Sequence, residues 1–119
     1  MLIALWITSG LLALVNLLAG SVKVLRPKAA LAERMPWSAD FSALQLKAIG
    51  ALEVAAAIGL ILPRLTGILP WLSVAAAFGL AILQLGALTV HARRKETFVP
   101  NLVLAALALF VGIGLLVAG

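Results

Sequence analysis

Few side chains in this 119-residue sequence are equipped for chemistry, and they stand apart from one another. Glu53 sits inside "IGALEVAAAIGLILP", a run with no other charge. Asn16 and Gln84 interrupt two further apolar runs, and Lys23 and His91 each lie seven residues beyond them. Asn101 stands just inside a fourth apolar run. A carboxylate, an amine, an imidazole and three amides inside apolar segments suit three kinds of work. They can act as hydrogen-bonding glue between helices, receive the polar head of a lipid-soluble ligand, or handle protons. The absence of cysteine excludes disulfide, thiol-redox and Cys-zinc chemistry. A single histidine argues against a multi-histidine metal or haem site within one chain. No catalytic constellation is complete, so the reading assigns no catalytic residue, no metal ligand and no required cofactor.

Hydrophobic residues make up 65% of the chain and charged residues 11%. Soluble domains run closer to half apolar and a quarter charged, so the composition points to a bilayer. A membrane span takes about 20 mostly apolar residues. The apolar runs predict four helices, at about 2–24, 41–62, 68–90 and 98–117. Ser38 or Asp40 is the expected cap of the second helix. "PRLTG" reads as a tight turn after it, and Pro70 as part of the third helix's first turn. The N-terminus lacks the basic segment and cleavage site of a signal peptide and reads as a retained first helix. The fold class is therefore all-α: one antiparallel transmembrane four-helix bundle with short loops, filling residues 1–119.

Charge sets an expected orientation. The first and third connections hold seven Lys and Arg (Lys23, Arg26, Lys28, Arg34, Arg93, Arg94 and Lys95), whereas the second holds only Arg64. By the positive-inside rule, those two loops face the cytoplasm and both termini lie outside the inner (plasma) membrane. Trp6 and Trp71 then fall at the outer interface and Trp37 at the inner one, where indole rings settle.

At 1.5 Å of rise per residue, Glu53 lies roughly 13 Å deep, and Asn16 and Gln84 roughly 10 Å, all measured from the cytoplasmic side. Ser9, Asn16 and Lys23 are spaced by sevens, as are Gln84 and His91, so each set keeps to one helix face. Gly50, Ala56 and Ala57 flank Glu53 at helical spacing and let a neighbouring backbone approach. An ionised acid at this depth costs at least about 2.5 kcal/mol and must find a partner inside the bundle. Lys23 is the expected partner, with Asn16 and Gln84 supplying hydrogen bonds to the same carboxylate. His91 and Lys47 are expected to snorkel to the interface. Asn101 either caps the fourth helix or joins the cluster.

The segments "LLAGSVKVLRP", "IGALEVAAAIGLILP" and "GALTVHARRKE", with "RMPW" between the first two, occur in an order that resembles the DoxX-like family of small four-helix membrane proteins. Lys23, Glu53, Gly59, Pro63, Gly86 and His91 fall on that family's recurrent positions. The resemblance implies a broad set of roles. The namesake is a membrane subunit associated with a thiosulfate–quinone oxidoreductase, other relatives are linked to redox-defence assemblies, and an animal relative is a receptor assembly chaperone.

Three functions follow as expectations. The first is a non-catalytic membrane subunit or chaperone-like assembly partner, binding other membrane proteins or a second copy of itself among membrane lipids. The second is a module that binds a quinone or another amphipathic molecule, with Glu53, Lys23 and His91 at its head. The third is a small multidrug-type transporter. It ranks last, because such transporters carry their essential acid in helix 1 and this helix 1 has none. Nothing in the sequence points to nucleic acid.

Overall fold

The computed structural model describes residues 1–27, 29–31, 35–36, 38, 41–69 and 71–118, with the side chain of residue 118 left aside. Four long helices run antiparallel in succession: α1 (Leu2–Leu25), α2 (Ala43–Thr66), α3 (Trp71–Arg93) and α4 (Val99–Ala118). Each is long and apolar enough to cross a membrane. The bundle is 42 Å along its longest axis, close to the full thickness of a bilayer with its headgroups. Leu11, Leu14, Leu17 and Leu18 on α1, with Leu102 and Val103 on α4, lie exposed on the outside. A soluble protein rarely carries an apolar surface so extensive, and lipid is its natural solvent.

The helix boundaries differ from the sequence expectation for definable reasons. α2 starts at Ala43 because Ser42, not Ser38, is its N-cap. The Ser42 hydroxyl accepts from the Gln45 backbone N–H at 3.1 Å, and the Gln45 side chain accepts from the Ser42 N–H at 2.9 Å. The two bonds form a capping box. At its other end α2 does not stop at Leu62 but continues through Pro63 to Thr66. Gly67 then ends it with a left-handed φ of 73°, which glycine adopts without steric cost. Leu69 also has a positive φ, 47°, so α3 cannot begin at Ile68. It begins at Trp71 and runs past Val90 to Arg93, where left-handed Lys95 (φ 56°) turns the chain. α1 and α4 each differ from expectation by one residue at one or both ends. The expectations for Pro70, Trp37 and Asp40 lie outside the described residues.

Proline inside α2 has a local remedy. Pro63 has no N–H to donate to the carbonyl four residues earlier, that of Gly59. Ser73 of α3 reaches across and donates its hydroxyl to that carbonyl oxygen at 2.9 Å. A neighbouring helix thus satisfies the group the proline leaves open, as membrane helices require.

Packing is unequal along the bundle. The buried apolar core gathers Leu5, Leu12, Leu60, Leu80, Val111 and their neighbours. These residues belong to the first half of α1 and α3 and the second half of α2 and α4, the half that carries both termini. Toward the other end, where the first and third loops lie, the buried positions turn polar: Asn16, Lys23, Glu53 and Gln84.

Candidate functional site

The polar end is built on a close helix crossing. A Cβ on Gly20 of α1 would come within 2.6 Å of the Gly50 carbonyl oxygen of α2, and one on Gly50 would meet the Gly20 oxygen at 2.6 Å. Only glycines allow these backbones to touch. Lys23 lies three residues beyond Gly20 and Glu53 three beyond Gly50. Because the helices are antiparallel, those steps carry the two residues about 4.5 Å in opposite directions. Side chains lean toward the N-terminus of their own helix, so Lys23 and Glu53 lean toward each other. Their stems pass over the glycines: the Cβ missing from Gly50 would lie 2.7 Å from that of Lys23, and the one missing from Gly20 would lie 3.0 Å from that of Glu53. The result is a Lys23 Nζ to Glu53 Oε1 contact of 2.5 Å with both side chains nearly sealed from solvent.

The amides do not join that pair as expected. Asn16 donates from Nδ2 to the Leu12 carbonyl of its own helix at 2.8 Å. Its Oδ1 is buried, with no hydrogen-bond partner among the described residues. Gln84 accepts at Oε1 from Asn101 Nδ2 at 2.9 Å, linking α3 to α4. The reason is directional: a short Asn finds the carbonyl one turn back before it can reach another helix, and Gln84 faces α4. His91 is half-buried at the end of α3. Its Nδ1 lies 3.1 Å from Glu96 Oε1, and Arg94 Nε lies 3.4 Å from the same oxygen, closing the third loop. Lys47 is exposed and donates to the Val24 carbonyl near the end of α1 at 2.9 Å.

The six polar candidates share one space. A cleft of about 1420 Å³ opens between α2 and α3, and Asn16, Lys23, Glu53, Gln84, His91 and Asn101 all contribute to its wall. Met35 and Phe41 of the first connection line it as well. From Glu53 it continues along α2 to Thr66, thirteen residues and about 20 Å. That stretch is apolar. Its one hydroxyl among the described residues, that of Thr66, is turned to the Leu62 carbonyl at 2.7 Å. At the opposite end of the bundle, the Arg64 guanidinium lies 4.2 Å from the centroid of the Trp6 ring, a favourable cation–π distance.

Sequence reasoning missed three features. The capping box was legible as Ser42-x-x-Gln45. The Ser73 bridge had a partial signal in Pro63, which announces an orphaned carbonyl without naming its partner. The cleft had none, because its walls use the same alanines, glycines and leucines as a tight interface.

Four membrane-length helices enclosing a cleft that is polar at one end define a multi-pass integral membrane bundle. Among proteins of that class, the chain matches the DoxX-like family model over residues 7–113 and belongs to that family. No curated protein and no solved structure matches it.

Proposed function

We propose that the protein binds a lipid-soluble amphipathic molecule in the cleft between α2 and α3. The polar head sits at the end bearing Gln84, Asn101 and His91, and the apolar tail runs along α2 toward Thr66. The observation that carries this reading is the cleft itself: one long apolar trough whose polar groups converge at a single end. Ligand sites are mostly apolar with a few placed polar groups, and this one follows that pattern at a larger size than a drug-like pocket. Lys23 pairs with Glu53, and Glu96 is held by His91 and Arg94, so the two acids nearest the head end are already engaged. A neutral head fits such a site, and quinone-type molecules belong to the class. The tail segment, about 20 Å, exceeds the roughly 15 Å of one leaflet's hydrocarbon.

A second reading has support from the trough's wall, where Ala55, Ala56 and Gly59 of α2 face Ala75, Ala76 and Gly79 of α3. Small residues of this kind let a helix approach closely, which suits a membrane subunit or assembly partner that receives another protein's helix. Gentle release of the protein from native membranes into a mass spectrometer separates the two. Retained mass of a few hundred daltons or more that extracts into organic solvent supports the ligand. Retained polypeptide and no lipophile supports the partner helix and overturns the first reading. The proposed orientation places both termini on the non-cytoplasmic face, from the lysines and arginines of the first and third loops.

A further inference from the structure

The structure assigns the Gln84–Asn101 amide pair as the reader of the ligand's head, selecting a head that both donates and accepts a hydrogen bond, such as a lipid alcohol or phenol. The inference rests on the ligand-binding reading above and gives it a chemical class. The two amides are joined through one bond, Asn101 Nδ2 to Gln84 Oε1 at 2.9 Å. That bond uses one N–H of Asn101 and one lone pair of the Gln84 oxygen. The other two polar atoms, Gln84 Nε2 and Asn101 Oδ1, lie outside that bond, and both residues line the cleft. Together they offer a donor and an acceptor to whatever lies there.

Two further polar groups stand near the pair. Asn16 must point its nitrogen at the Leu12 carbonyl, because a carbonyl only accepts, so its oxygen is the atom left over. Glu53 carries a second oxygen beside the one that Lys23 holds. At the head position Asn101 Oδ1 therefore offers an acceptor, while Gln84 Nε2 and the second N–H of Asn101 Nδ2 offer donors. A head that only accepts, such as a ketone or an ether, satisfies the Gln84 donor and leaves the Asn101 oxygen facing an oxygen or an apolar atom. A hydroxyl satisfies both, since one O–H group donates and accepts at once. Exchanging nitrogen and oxygen on both amides changes nothing, because the pair still offers a donor and an acceptor. For a ring-headed ligand the selection favours a hydroquinone over its quinone.

The test uses the full chain in nanodiscs and three probes with one tail: geranylgeraniol, its methyl ether and the parent hydrocarbon. Binding is read by displacement of radiolabelled geranylgeraniol. On the wild-type protein the alcohol should outcompete the ether by roughly three- to twentyfold, the range measured for hydrogen bonds inside membranes, and the hydrocarbon should be weakest. In Asn101→Leu the preference for alcohol over ether should vanish. Ether binding as tight as alcohol binding on the wild type overturns the inference. So does a preference that survives Asn101→Leu, since it would reflect the ether's bulk. The comparison on the wild type stands even if the variant fails to fold. Equal binding of all three probes sinks the head reader and leaves an amphipath cleft in place. Binding of none sinks the ligand reading with it.

Discussion

The buried Lys23–Glu53 pair yields the sharpest stability prediction. At 2.5 Å and an effective dielectric near 20, the attraction between full charges is about 6–7 kcal/mol. Bringing each ion out of water costs several kcal/mol, so the pair as a whole is close to balanced. Its members are not individually dispensable. Glu53→Gln leaves an ammonium with 9% side-chain exposure, and Lys23→Met leaves a carboxylate with 6%. Each single change should destabilise the bundle by about 3–5 kcal/mol, and the double change should recover most of that. Thermal unfolding of all four proteins in one detergent, followed by loss of helical circular dichroism, measures the cycle. If the double variant loses as much as the two single losses added together, the residues act independently and the pairing argument is wrong.

Three further predictions concern the helices that hold the site. Ala at Gly20 or at Gly50 places a Cβ 2.6 Å from a backbone oxygen that cannot move aside. Either change should cost about 1–3 kcal/mol by thermal unfolding. Ser73→Ala should cost about 1 kcal/mol in the native sequence. It should cost almost nothing once Pro63→Ala has restored an N–H for the Gly59 carbonyl, and equal losses in both backgrounds would refute the bridge. For orientation, alkaline phosphatase fused after the C-terminus should be active outside the cell and a green fluorescent fusion there dark; the reverse would invert the proposed topology.

The sequence made the spans and the pairing of Lys23 with Glu53 legible for the same reason: a charge inside an apolar run is too costly to leave unpaired. Heptad spacing placed Ser9, Asn16 and Lys23 on one face, and all three are buried. What stayed hidden depended on distances between helices. Asn16 and Gln84 share a depth with Glu53, yet each met a nearer partner, Leu12 and Asn101. Depth along one helix says nothing about which neighbour its face meets. Pro63 misled for a related reason, since its usual effect in water is to end a helix, whereas here Ser73 compensates the missing donor. The cleft was out of reach because a run such as "EVAAAIGL" reads alike whether a neighbour packs on it or leaves a gap.

The central claim, that a lipophilic chain lies in this trough with its head at the Gln84–Asn101 end, is tested most directly by photolabelling. A geranylgeraniol probe carrying a diazirine at its tail tip, activated in nanodiscs and mapped by peptide mass spectrometry, reports where the tail ends. The account predicts labels on Leu62, Thr66 or Leu72, which line the far end of the cleft, and their loss when unlabelled geranylgeraniol is in excess. Labels confined to the outward leucines of α1, such as Leu11 and Leu18, and unaffected by competitor would contradict it.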